Sequence, residues 1–332
     1  MGKIQWHKII NKYHIIISTL QYTNHYNHSI CFSSNKSQME VKFESTRICS
    51  ARIVNYLLEK SRVVTQTKNE RNYHIFYQFL EGLEPTTRKK VSLADSASDY
   101  NYLKNSECYN IPGLDEKEDF RKTWRAMELL KFSESDILNI SKVLAAILQI
   151  GNLELKPQRL NNMDGAFISN KDLLTIVSAN LGFKPEELGK ALTYRSVTIR
   201  NELSMIPLNM VDSNVARDAF AKTLYAKLFD WLVWKINQTL YKTDSKLSIG
   251  ILDIFGFEIF ENNLFEQFCI NYANEKLQQH FNNHIFKLEQ DEYKREGNDL
   301  FPLCYIYYRY IDISTNHRFE FCIFFCIFYN RY

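Results

Sequence analysis

The stretch Leu247-Ser-Ile-Gly-Ile-Leu-Asp-Ile-Phe-Gly-Phe-Glu258 decides how the rest of this chain is read. An apolar run from Ile249 to Leu252 ends at Asp253. Gly256 follows three residues later, then Glu258. Continuous apolar sequence of this kind predicts a strand buried on both faces. A carboxylate at the C-terminal end of such a strand suits a link to a metal ion. A glycine beside it has an N–H that can approach a terminal phosphate closely.

The residues that follow, Asn263–Tyr293, predict a long helix. Its apolar series Phe268, Leu277, Phe281, Ile285 and Leu288 reads as a stripe facing a core. Three blocks, residues 56–64, 70–80 and 216–233, add Tyr-Leu-Leu-Glu-Lys-Ser-Arg-Val-Val, Glu-Arg-Asn-Tyr-His-Ile-Phe-Tyr-Gln-Phe-Leu and Ala-Arg-Asp-Ala-Phe-Ala-Lys-Thr-Leu-Tyr-Ala-Lys-Leu-Phe-Asp-Trp-Leu-Val. Together these residues resemble the myosin motor domain, from about residue 39 to 297. The family reads Asp-Ile-(Phe/Tyr)-Gly-Phe-Glu at its second switch and continues into the relay helix.

The resemblance implies an α+β, predominantly helical fold related to P-loop NTPases. It would hold the upper actin-cleft helices, the second-switch strand and the relay helix. It also implies a parent activity, actin-activated Mg-ATP hydrolysis coupled to movement, with ATP and Mg²⁺ as cofactors and actin filaments as partner. On that reading Asp253 reaches Mg²⁺ through water and the Gly256 N–H touches the γ-phosphate. Glu258 positions the attacking water through an ion pair with a first-switch arginine.

Other parts of the family's nucleotide site are missing from these 332 residues. A phosphate cradle needs Gly-x-x-x-x-Gly-Lys-Ser/Thr. Gly-Lys occurs only at Gly2-Lys3 and Gly189-Lys190, and neither is followed by Ser or Thr. The nearest match to the first switch is Asn27-His-Ser-Ile-Cys-Phe-Ser-Ser, which offers Asn27 and Ser29 as nucleotide or Mg²⁺ ligands. A second register, anchored on Met39-Glu-Val-Lys-Phe, points to Ser33-Ser34. No arginine occurs before Arg47 in either case. A buried Glu258 without its cation would protonate or cost several kcal/mol. The chain alone is therefore expected not to hydrolyse ATP. Two alternatives stand beside a motor fragment: a non-hydrolytic actin-binding module, and an unstable piece of a mis-joined gene.

On the actin side, residues 193–209 resemble a surface loop of the upper cleft. The family's regulatory acidic or phosphorylatable residue precedes the motif's Asp218 by sixteen positions, which gives Glu202. A fixed negative charge there implies an actin contact that needs no phosphorylation. The plainer reading is an exposed Glu on a polar hairpin. His280 and His284 have the i,i+4 spacing of a zinc helix, but Phe281 stands where the general base belongs, so no metal beyond Mg²⁺ is expected.

Composition sets the remaining bounds. A hydrophobic fraction of 45% supports a sizeable core. Net charge of +3 gives no reason to expect nucleic acid as partner. Seven scattered cysteines without a Cys-x-x-Cys pair suit a reduced, cytoplasmic protein with buried free thiols, at the actin cytoskeleton if the family holds. The apolar runs Ile15–Leu20 and Phe321–Phe328 are far shorter than the roughly 20 residues of a membrane span. Light chains, class and cargo leave no trace in this stretch.

Three textures run along the chain. Residues 1–38 and 298–332 look foreign to the family, and twelve of the last 35 residues are aromatic. The intervening stretch, 39–297, is the motor-like domain. Within it Ala51–Leu58 has helical spacing, and Ser61–Thr65 reads as a strand. Glu70–Leu80, Glu116–Leu130, Ser135–Gln149, Asn170–Leu181, Lys184–Leu192 and Ser213–Thr239 read as helices, with Ser133 or Ser135 capping the third. Thr193–Leu208 reads as a two-stranded excursion.

Overall fold

The protein is described by a computed structural model. It covers residues 36–297 apart from 67, 69, 161, 162, 200, 201, 254–256 and 258–264. The chain divides into two compact units, Met1–Asn271 and Tyr272–Tyr332.

The first unit begins with a hairpin, β1 (Lys36–Glu44) and β2 (Arg47–Leu57). Met39, Val41 and Phe43 alternate with Glu40, Lys42 and Glu44, which is the period of a half-buried strand. Ser45 takes a left-handed φ of 55° in the two-residue turn. Residues 51–57 are therefore strand where helical spacing over 51–58 predicts a helix. Ala51 and Ile53 are buried while Arg52 and Tyr56 are exposed. The apolar pairs Ile53-Val54 and Leu57-Leu58 fit either period in so short a window, and pairing with β1 decides between them. The β-branched run that reads as a strand at 61–65 is a 3₁₀ turn, Lys60–Val63.

Helices α1 (His74–Gly82), α2 (Pro85–Lys90), α3 (Asn101–Lys104), α4 (Glu116–Leu129) and α5 (Glu134–Gly151) follow. Asp115 caps α4 by accepting from the Glu118 N–H. Ser133, not Ser135, caps α5, in a reciprocal box with Asp136. A hairpin that periodicity does not predict, β3 (Leu155–Leu160) with β4 (Met163–Ile168), leads to α6 (Lys171–Leu181) and α7 (Pro185–Thr193). Gly182 ends α6 at φ 76°. The expected two-stranded excursion is β5 (Tyr194–Ile199) with β6 (Glu202–Pro207).

The organising element is α8, Met210–Leu240. Ala221, Tyr225, Leu228, Phe229, Leu232, Ile236 and Leu240 lie buried along one stripe of it. Tyr225 stacks on Tyr73 with ring centroids 4.7 Å apart and meets Phe76 at 5.5 Å. At the other end of α8, Asn237 docks on β2. Its Oδ1 accepts from the Ile53 N–H at 2.8 Å, and its Nδ2 donates to the Ile53 carbonyl at 2.9 Å. One side chain thus fixes a helix against a strand 184 residues away in sequence.

β7 (Leu247–Asp253) completes a three-stranded antiparallel sheet in the order β2-β1-β7. Here the expectation of a strand buried on both faces fails. Leu247, Ile249 and Ile251 remain 58, 57 and 54% exposed. By register they extend the row of Phe43, Val41 and Met39. Val41 and Met39 are buried, but the cover that buries them does not reach the outer strand. Among the described residues β7 is an edge, and each side chain forgoes roughly 1 kcal/mol of burial.

α9 (Phe265–Asn282) begins in the first unit and runs into the second. There a π turn, Asn283–Lys287, joins it to α10 (Leu288–Arg295). The apolar series expected to face a core is exposed: Phe268 at 65%, Leu277, Phe281, Ile285 and Leu288 less so. The spacing predicts the stripe but not its cover. No helix among the described residues is long and apolar enough to cross a membrane.

Candidate functional site

The sheet brings distant segments to one end. β1 and β7 run antiparallel, with Val41 opposite Ile249, Gln38 opposite Leu252 and Ser37 opposite Asp253. The carboxylate-bearing end of β7 therefore stands at the N-terminal end of β1, where residues 27–35 lead into the strand. Asn27, Ser29, Gly256 and Glu258 lie outside the described residues, so Asp253 alone of the expected nucleotide group has a placed backbone. A Cβ at Gly250 would come 2.7 Å from Gln38 Nε2, and Gln38 Oε1 accepts from the Tyr56 hydroxyl at 2.7 Å.

Glu202 is the first residue of β6 and pairs with Ile199, the last of β5. It therefore sits at the tip of that hairpin, within the surface excursion the sequence predicts. A shallow concavity of about 580 Å³ lies elsewhere, between the β3–β4 hairpin and the start of α8. Pro157, Arg159, Asp164, Met210 and Val211 line it.

Among the described residues a buried charged network lies in a third place, which sequence reasoning missed. Arg71, fully buried, places its guanidinium 3.7 Å from the Tyr77 ring centroid. Its Nη1 donates to Glu116 Oε1 at 2.6 Å and its Nη2 to the Tyr109 carbonyl at 2.9 Å. Nearby, Arg62 pairs with Glu59 at 2.6 Å and Glu70 at 3.4 Å. Burial opposes the Arg62 charge, but the two carboxylates outweigh it and hold the guanidinium protonated more firmly than usual. Burial raises the Glu116 carboxyl, and Arg71 only partly offsets that. Burial, then the Arg71 charge, pushes His74 down to about 4. Arg71 Nε, His74 Nδ1 and Glu116 Oε2 are buried without a partner among the described residues. The Arg71–Glu116 pair ties the segment leading into α1 to the start of α4, and its separation of 45 positions left no local signal in the sequence. In the Arg-Asp-Ala motif the Tyr102 hydroxyl donates to Asp218 Oδ1 at 2.7 Å, and Arg217 Nη1 donates to the Leu153 carbonyl at 3.2 Å. Those two motif residues thus tie α8 to α3 and to the start of the β3 hairpin.

The donor set does not fit a complete Mg-nucleotide site. The sequence has no phosphate-cradle motif, and no arginine precedes Arg47. No cluster of three His, Cys, Asp or Glu side chains able to hold a metal occurs among the described residues. His280 and His284 stack in parallel with centroids 6.2 Å apart and gather no third ligand there. The three described thiols are less buried than expected. Cys49 and Cys108 are half-buried and Cys269 is exposed.

Comparison with known proteins bears on all of this. The family described as "Myosin head (motor domain)" matches residues 27–313. The chain is 46% identical over 261 residues to "Myosin-I heavy chain" of Dictyostelium discoideum, an alignment covering 78% of this chain and 11% of that protein. It is 46% identical over 264 residues to "Myosin-3" of Arabidopsis thaliana, covering 79% and 23%. It is 45% identical over 278 residues to "Myosin-52" of Schizosaccharomyces pombe, covering 82% and 18%. The chain thus spans less than a quarter of the length of these relatives. An α+β, mostly helical body with small sheets, matched over so much of its length at this identity, belongs to the myosin motor-domain family.

Proposed function

We propose that this chain is the switch-and-relay portion of an actin-based, cytoplasmic myosin motor, and that by itself it does not turn over ATP. In the complete motor Asp253 would reach Mg²⁺ through water and the Gly256 N–H would face the γ-phosphate. Glu258 would position the attacking water. Asn27 and Ser29 would come from the first switch, and Glu202 would meet actin. The observation that carries the reading is the β1–β7 register. It pairs Ser37 with Asp253, so the start of β1 and the end of β7 meet although they are more than 200 positions apart. The half-exposed apolar row on β7 and the stripe on α9 and α10 support a body that works inside a larger one. No chemical step is assigned to these residues alone, because the phosphate cradle and the first-switch arginine are not among them.

The test is phosphate release by the purified 332-residue chain with MgATP, with and without actin filaments, alongside co-sedimentation with those filaments. The expected outcome is release at the background rate; filament binding that ATP leaves unchanged would favour the non-hydrolytic actin-binding module instead. Steady-state turnover above background that Gly256→Ala abolishes would overturn the proposal.

A further inference from the structure

The turn that closes α2 carries a constellation that neither the fold nor the motor reading uses. α2 buries none of its residues and ends on Arg88, Lys89 and Lys90. Val91 is buried, Ser92 is exposed, and Leu93 is buried. Ser92 holds a left-handed φ of 52°. Two bonds close the turn: its own N–H to the Lys89 carbonyl at 3.2 Å, and the Leu93 N–H to the Arg88 carbonyl at 3.1 Å. Ser92 is thereby held exposed at the tip of a tight turn. Cations stand two, three and four residues before it, and a leucine one residue after. No other Ser or Thr in the sequence has cations at both the second and third positions before it.

The three cations are not equivalent. Arg88 is committed: it donates to the Leu80 carbonyl, to the Ala94 carbonyl at 3.0 Å and to Asp95 Oδ1 at 3.3 Å. Lys89 and Lys90 are exposed and make no ion pair among the described residues. They are the charges open to an acidic recognition surface.

We propose that Ser92 is a phosphorylation site for a basophilic Ser/Thr protein kinase, recognised through Lys89 and Lys90. In the transfer, Ser92 Oγ attacks the γ-phosphorus of kinase-bound MgATP and a new O–P bond forms. The bond from the γ-phosphorus to the β,γ-bridging oxygen breaks, ADP leaves, and the hydroxyl proton passes to the kinase's catalytic Asp. The phosphoserine then places a near-dianion beside Lys89 and Lys90 and competes with Asp95 for Arg88. The turn it loads is tied to two further helices. Gln149 Nε2 on α5 donates to the Val91 and Ser92 carbonyls, each at 2.9 Å, and Asn180 Nδ2 on α6 donates to the Val91 carbonyl at 3.1 Å. Kinases grip extended segments, so Val91 and Leu93 must lift out for the reaction. The whole chain will therefore be modified more slowly than a free peptide.

The experiment incubates the full 332-residue chain with the catalytic subunit of a basophilic kinase and MgATP, and maps the product by tandem mass spectrometry. A peptide of residues 84–97 runs in parallel. The expected result is a single phosphate on Ser92. Ser92→Asn should abolish it, because Asn tolerates the left-handed turn but has no hydroxyl. The double variant Lys89→Gln/Lys90→Gln should lower the kinase's kcat/KM by roughly tenfold, the loss expected for two solvent-exposed ion pairs. Modification of the peptide but not of the chain would overturn the proposal. So would phosphate that persists in the chain after Ser92→Asn.

Discussion

His74 sets a specific pH dependence for this fold. It opens α1, where the helix N-terminus already disfavours a positive charge, and its imidazole is buried with Nδ1 unpartnered. Burial, then Arg71, and less strongly Arg62, lower its pKa, while Asp119 raises it, with a net fall from 6.5 to about 4. The folded value lies below the unfolded one, so folding favours the neutral ring. Above about pH 6.5 both states are neutral and the group contributes no slope. Between about pH 6.5 and 4 the unfolded chain takes up a proton that the folded chain refuses, and stability falls as pH falls. Below about pH 4 the loss levels off at about 3 kcal/mol, and between pH 7 and pH 5 it is about 2 kcal/mol. Glu116 acts the other way. Its carboxyl is raised, so it adds stability as pH falls. Comparison with His74→Gln separates the two, because Glu116 is present in both proteins. Urea unfolding followed by far-UV circular dichroism at pH 7, 6 and 5 measures the difference. The wild-type chain should lose about 2 kcal/mol more than the variant over that range, at equal m values. Identical pH slopes for the two proteins would refute the reasoning, because His74 would then titrate as a solvated imidazole.

Two further perturbations probe the same helix pair. Gly82 faces α4 so closely that an added Cβ would lie 2.3 Å from the Phe120 ring, so Gly82→Ala should destabilise by about 1–3 kcal/mol through overpacking, read as a fall in Tm. Arg71→Met should cost about 3–5 kcal/mol, because it strands the Glu116 carboxylate, whereas Arg71→Met with Glu116→Leu should recover most of that loss; a double-mutant cycle without coupling would show that the 2.6 Å contact carries no energy.

The sequence was most legible where local chemistry decides. The amphipathic stripe of α8 and a capping serine ahead of α5 follow rules that operate within four residues, although the choice of Ser133 over Ser135 came only with the Asp136 box. The hairpin of β1 and β2 was harder. Met39, Val41 and Phe43 alternate plainly, but Ile53, Val54, Leu57 and Leu58 satisfy two periods at once, and only the opposing strand chooses between them. β3 contains Pro157, which argues against an interior strand, and it survives in a two-stranded hairpin where Pro157 pairs with Ala166. Of the expected site, Asp253 was legible as the end of a strand. The Arg71–Glu116 pair was not, because long-range pairing leaves no spacing to read.

The exposed rows carry the deeper point. Periodicity reports which face of an element is apolar, because that is a property of one segment. Whether the face is covered is a property of two segments, and the second is not encoded in the first. Met39 and Val41 are buried, yet Ile249 and Ile251 lie beside them in register, on the same face, and stay more than half exposed. Nothing in the local sequence of β7 distinguishes it from a strand with a complete cover. The pattern states that a partner is required; its identity must come from whatever chain segment brings a complementary apolar face to that row.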